Sequence, residues 1–143
     1  MARLILFNKP FNVLSQFSDD QGRATLADFL SAPSCRVAGR LDYDSEGLLL
    51  LTNDSVWAAG ITDPMSKLHK TYHVQVAGIP DRNALIAMQQ GIEIDGEYLA
   101  ATHATLLRAG EKNAWLEVVL DEGRNRHIRR LLAGLEVEVL RLV

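Results

Sequence analysis

Gly39-Arg40-Leu41-Asp42-Tyr43-Asp44-Ser45-Glu46-Gly47-Leu48-Leu49-Leu50-Leu51-Thr52-Asn53-Asp54 sets three carboxylates and an arginine between two apolar stretches. Its polar half reads as a loop, and Leu48 to Thr52 as a fully buried strand ended by Asn53-Asp54. Arg36-Val37-Ala38 is a short strand just before it, and Asp54 or Ser55 caps a helix running through Ile61. Towards the N-terminus, Leu4-Ile5-Leu6-Phe7 is an apolar strand stopped by Asn8-Lys9-Pro10, because proline lacks the donor a central strand needs. The turn residues Asp19-Asp20-Gln21-Gly22 precede a short helix, Thr25 to Leu30, capped by Thr25, with Asp28 at its positive end and Pro33 barring extension.

Towards the C-terminus, Asp63 to Lys67 is a loop and Lys70 to Gly78, rich in β-formers, a strand. Pro80 opens a helix with Asp81 in its first turn, and Gly91 closes it after Gln90. Ile92 to Ile94 and Tyr98 to Ala100 flank a turn at Asp95-Gly96. His103 to Leu107 and Ala114 to Leu120 follow, and in the latter Trp115, Glu117 and Val119 alternate with Leu116, Val118 and Leu120, as on a strand with two differently buried faces. Arg124 to Leu132 reads as helix and Val137 to Val143 as a final strand. Strands outnumber crossover helices, so the expected class is α+β with a mixed, mainly antiparallel sheet rather than a doubly wound one.

At 143 residues the chain has the length of one domain and is expected to form one core. With 48% hydrophobic and 23% charged residues it is globular in composition. The longest apolar run, Ala84 to Met88, is far short of the ~20 residues a bilayer requires. The single cysteine, Cys35, cannot form an internal disulfide, and no leader pattern opens the chain, which points to a soluble cytoplasmic protein. The net charge of −3 argues weakly against nucleic acid as an average, but four arginines fall within Arg124 to Arg130, so a local basic patch is available.

Two chemistries compete for the acidic segment. Asp42, Asp44 and Glu46 alternate before Gly47 as calcium-loop ligands do, but the twelfth position is Asn53 instead of a bidentate glutamate. An acid/base carboxylate pair of the glycosidase kind is not established by residues two apart in sequence. A plain solvated turn is the bland alternative. In the basic cluster, helical spacing would put Arg126, Arg129 and Arg130 on one side, suited to phosphate, against the alternative of a helix face paired with surface acids. His69, His73, His103 and His127 show no metal-ligand spacing, and there is no phosphate-binding glycine loop, G-x-S-x-G or dinucleotide fingerprint. No metal is expected.

Taken whole, Gly39 to Asp54 resembles the signature of the RsuA/RluB/RluE/RluF family of ribosomal RNA pseudouridine synthases. Asn8-Lys9-Pro10, Lys70-Thr71-Tyr72-His73-Val74 and Glu122-Gly123-Arg124-Asn125-Arg126-His127-Ile128-Arg129-Arg130 support it in the same order, so the resemblance spans essentially the whole chain. Leu6 to Phe17, and a catalytic-domain strand that starts at once without the family's S4 domain, look most like the RluE branch. The resemblance implies a pseudouridine synthase fold over residues 1–143 with an RNA-binding cleft, and isomerisation of one uridine, position 2457 of 23S rRNA in the RluE branch. A relative acting on another 23S or 16S uridine, and an inactive RNA-binding module, are the alternatives.

The resemblance also makes Asp42 the catalytic aspartate, Tyr72 the aromatic that packs on the base and Arg129 the partner of the aspartate. Arg40, Lys9, Arg124, Arg126 and Arg130 are the expected RNA contacts, with Lys9 leaning to a structural role. Asp44 and Glu46 are expected to shape the loop. No cofactor, nucleotide, metal or membrane is implied, and the usual state is a monomer. The family's catalytic domains continue beyond the equivalent of Leu140 to Val143, which implies a chain shortened at that end.

Overall fold

The structure, a computed structural model, describes residues 1–143. Two compact units emerge, residues 1–66 with Val143 and residues 67–142, each with its own apolar core where chain length suggested one.

In the first unit, β1 (Leu4–Lys9), β2 (Arg36–Ala38) and β3 (Gly47–Thr52) form an antiparallel sheet in the order β1-β3-β2. Leu49 and Leu51 point into a core with Val13 and Leu26, whereas Leu48 on the opposite face is 64% exposed. The leucine run is therefore a strand with one buried face, not two. β1 is longer than the apolar run suggested, since Asn8 and Lys9 pair with Leu48 and Gly47. Those two residues decide Lys9: the twofold alternation that turns Ile5 and Phe7 inward carries Lys9 inward after them. Thr25 caps a single 3₁₀ turn, Leu26–Asp28, in a capping box with Asp28.

The end of the quoted stretch has a structural role. Thr52 Oγ1 donates to the Arg3 carbonyl (2.6 Å) and accepts from the Asp54 amide (3.0 Å). Asn53 exchanges bonds with Arg3 and Met1, and Asp54 caps α1 (Ser55–Thr62) by accepting from Trp57 N. Thr52-Asn53-Asp54 thus knits the chain start to β3 and begins the helix.

In the second unit, β4 (Lys70–Ala77), β7 (His103–Ala109), β8 (Asn113–Leu120) and β9 (Val139–Leu142) form an antiparallel sheet in the order β7-β8-β4-β9. Val74, Val76, Leu116, Val118 and Leu120 face a core completed by Met88 of α2 (Arg82–Gln90) and Leu131 and Leu132 of α3 (His127–Gly134). The hairpin β5 (Ile92–Ile94) and β6 (Glu97–Leu99) turns at Asp95 and Gly96, both at positive φ (51° and 81°), as its two-residue loop requires. The α+β class and the antiparallel pairing agree with the expectation, although the strands divide among three sheets.

Two helix starts move. α2 begins after Pro80 and Asp81, because Asp81 Oδ1 accepts from Ala84 N (2.9 Å) and acts as the cap instead of a first-turn residue. α3 begins at His127, not Arg124: the His127 amide donates to the Arg124 carbonyl, and Arg126 takes the left-handed conformation at φ 52°. Arg126 therefore stands at the cap, off the helical spiral, and the expected face of Arg126, Arg129 and Arg130 is reduced to Arg129 and Arg130. No helix is long and apolar enough to cross a membrane.

Candidate functional site

The candidate residues lie in two places, each built by its own unit. In the first, Gly39 to Glu46 joins β2 to β3 as a tight loop in which the Ser45 amide donates to the Asp42 carbonyl (3.0 Å). Asp42 is half-buried and Arg40 exposed. Two side chains from elsewhere grip the loop on either side of Asp42. Ser15 Oγ donates to the Leu41 carbonyl (2.9 Å) and accepts from the Leu41 amide (3.2 Å). Lys9 Nζ donates to the carbonyls of Val13 (2.7 Å), Pro10 (2.9 Å) and Tyr43 (3.3 Å).

Lys9 is 0% exposed and gives its three ammonium protons to three carbonyls, so it does not serve as an RNA contact; it braces the loop. Burial pushes its pKa below the usual lysine value, and Asp44, Glu46 and Asp42 oppose that shift. The clustered carboxylates thereby acquire a physical reason: they supply the counter-charge for a cation the strand period has forced inside. Gly47 closes the loop at φ 113°, where an added Cβ would be strained and would sit 3.3 Å from Val143 Cγ1.

In the second unit, Tyr72 lies on β4 opposite Val118, half-buried against the core. Arg129 is half-buried on α3, beside the buried His127 and Ile128. His127 is pinned through Nε2 to the Ala100 carbonyl (2.8 Å). Arg124, Arg126 and Arg130 gather at the start of α3, and Glu97 of β6 holds two of them. Arg130 Nη1 and Nη2 lie 3.4 and 3.3 Å from the two Glu97 oxygens, and Arg124 Nη1 lies 3.3 Å from Oε2. Arg124 also reaches Glu122 at 3.6 Å. The Arg130 and Arg124 guanidiniums hold the Glu97 carboxyl below its ordinary range. An arginine fork that accepts a carboxylate at both oxygens has the geometry to accept a phosphate. Sequence reading found the arginines and missed Ser15 and Glu97, which are ordinary polar residues far away in the chain from what they contact.

The profile of the RNA pseudouridylate synthase family matches residues 3–134. "Ribosomal large subunit pseudouridine synthase E" of Xanthomonas campestris pv. campestris is 45% identical over 98% of this chain and 84% of its own length. The protein of that name from Vibrio vulnificus is 43% identical over 99% of this chain. A solved structure titled "Crystal structure of pseudouridylate synthase" superposes with a TM-score of 0.82 at 32% identity, over 99% of this chain. The chain spans 66% of the Vibrio protein and 61% of that solved chain. Profile, sequence and fold agree with the resemblance carried by Gly39 to Asp54, and the chain belongs to the RNA pseudouridylate synthase family.

Proposed function

We propose that this chain is the catalytic domain of a ribosomal RNA pseudouridine synthase of the E type, with Asp42 as the reacting carboxylate. The observation that carries the reading is the Asp42 loop, gripped at Leu41 and Tyr43 by buried polar side chains, in a chain 45% identical to a large-subunit synthase over 84% of that protein. Conversion of uridine to pseudouridine breaks the bond from ribose C1′ to uracil N1, joins C1′ to C5, and moves a proton from C5 to N1. Nothing is oxidised or reduced, so a carboxylate is sufficient chemistry. Asp42 either attacks C1′ to form a ribosyl ester or takes the 2′ proton to leave a glycal; both routes need its side chain held at the ribose.

The detached uracil has to stay and turn. In this reading Tyr72 offers the aromatic face on which it rests, where stacking contributes ~1–3 kcal/mol per base. Arg129 has the part of orienting partner to Asp42 that the family resemblance implies. Arg40 helps hold the target nucleotide out of its helix, and Arg124, Arg126 and Arg130 grip phosphates. The substrate is 23S rRNA, the target the uridine at 2457, the working form a cytoplasmic monomer, and no nucleotide cofactor takes part.

The test is to incubate the chain, and its Asp42→Asn variant, with unmodified 23S rRNA and to map pseudouridine at nucleotide resolution. One new modification at 2457, absent with the variant, is the expected result. Modification at another uridine would refute the target, and equal modification by the variant would refute the role of Asp42.

A further inference from the structure

We propose that Ser15 is a positioning residue for Asp42, an inference that rests on the reading of Asp42 as the reacting group. A serine hydroxyl has one proton to give and lone pairs to accept with. Ser15 spends both on one residue, donating to the Leu41 carbonyl and accepting from the Leu41 amide, across 26 positions of sequence. It thereby pairs with Leu41 as a neighbouring strand would and fixes the plane of the peptide that leads into Asp42.

The hydroxyl is itself immobile. Ser15 is 2% exposed. Its flanking residues are tied to a second segment, with the Leu14 amide donating to the Ala24 carbonyl (2.9 Å) and the Leu26 amide to the Gln16 carbonyl (2.8 Å). That segment carries the Thr25 capping box. The next residue repeats the arrangement one step along, since Gln16 Oε1 accepts from Arg40 Nη2 (2.8 Å). Two consecutive residues thus hold the two that precede Asp42, the first by backbone and the second by side chain.

Packing alone would call for no hydroxyl at position 15, and the apolar core of this unit lies with Leu26, Leu49 and Leu51. What the hydroxyl supplies is direction: without it the Leu41 peptide can rotate, and a misplacement of about 1 Å at a reacting group is worth about a hundredfold in rate.

The experiment measures steady-state pseudouridine formation on unmodified 23S rRNA and amide hydrogen exchange for wild type, Ser15→Ala, Ser15→Cys and Asp42→Asn. Ser15→Ala is expected to lower kcat by roughly 10- to 100-fold with KM within about threefold. It should lose exchange protection at the Leu41 amide while Leu49 and Leu51 stay protected. Ser15→Cys, nearly isosteric with a weaker donor and acceptor, should fall between, and carries the test if the alanine variant does not fold. Asp42→Asn should keep Leu41 protected and lose turnover. Wild-type kcat in the folded Ser15 variants, or loss of protection at Leu49 and Leu51 in step with kcat in both of them, overturns the inference. Turnover by Asp42→Asn overturns the underlying reading, and with it the need for a positioning residue, whatever Leu41 shows.

Discussion

Asp42 and Arg130 sit in clusters of opposite construction. Around Asp42 the supporting groups are buried: Lys9 is 0% and Ser15 2% exposed, and each bonds to backbone carbonyls or amides that cannot move independently. Around Arg130 the side-chain supports are exposed, with the Arg124 and Glu97 side chains 45% and 41% accessible and joined by ion pairs at 3.3 Å, beside one backbone bond from Arg130 Nε to the Asn125 carbonyl (2.9 Å). The difference suits the two tasks proposed for these residues. A group that meets a reacting carbon needs a fixed position, which buried hydrogen bonds supply because their loss is expensive. Groups that meet phosphates need charge and reach, and water-screened pairs exchange a carboxylate for a phosphate at small cost.

The sharpest break of the comparison is within the loop. Asp42→Asn should lower turnover by at least about a thousandfold, whereas Asp44→Asn, a charge beside Lys9 and not a reactant, should cost less than about tenfold. Equal losses in the same pseudouridine assay would dissolve the distinction between reacting and loop-shaping carboxylates.

Next in size is the brace. Lys9→Met leaves the carbonyls of Pro10, Val13 and Tyr43 without their donor and the loop carboxylates without their cation, so it should destabilise by about 3 kcal/mol or more in urea unfolding. The pH dependence carries a sign that can be checked. The folded pKa of Lys9 lies below its unfolded value of 10.5, so between the two the unfolded chain binds more protons and wild-type stability rises with pH. Lys9→Met should lack that rise.

Smaller effects are expected at the arginines. Arg130→Gln and Arg124→Gln should each weaken RNA binding and reduce the slope of log affinity against log salt by ~0.7–0.9, with kcat at saturating RNA retained. An unchanged slope would remove these residues from the phosphate grip.

The smallest effect concerns Glu97. Its carboxyl is held below the ordinary range, first by Arg130 and then by Arg124, so its stabilising contribution is complete above about pH 4.5 and disappears as pH falls through the depressed value. The difference in melting temperature between wild type and Glu97→Gln should therefore be slight at neutral pH and vanish in acid. A difference that grows in acid would mean the Glu97 pairs are not what holds the cluster.

Much of the local structure was legible because it is written in near neighbours. The Thr25 cap, the Asp54 cap, the Asp95-Gly96 turn and the alternation of Ala114 to Leu120 each depend on residues within a few positions. Errors arose where two local signals competed. At α2 the Asp81 side chain outweighed proline-first patterning, and at α3 a left-handed Arg126 ended the spiral that helical spacing had extended through it. The structural leaning of Lys9 was legible, but its place inside β1 was not, because its register is set by pairing with Gly47, a partner 38 positions away.

The sequence by itself determined the family, the α+β class and the identity of the reactive candidates, since a motif of fixed residue types at fixed spacing survives without coordinates. Only the tertiary structure decided how those candidates are held: that Lys9 is a buried brace, that Ser15 grips Leu41, and that Glu97 occupies the fork of Arg130. The reason is physical. Local propensity acts through a few adjacent dihedrals, whereas burial, hydrogen-bond partnership and counter-charge are properties of groups that meet only after the chain has closed its long loops.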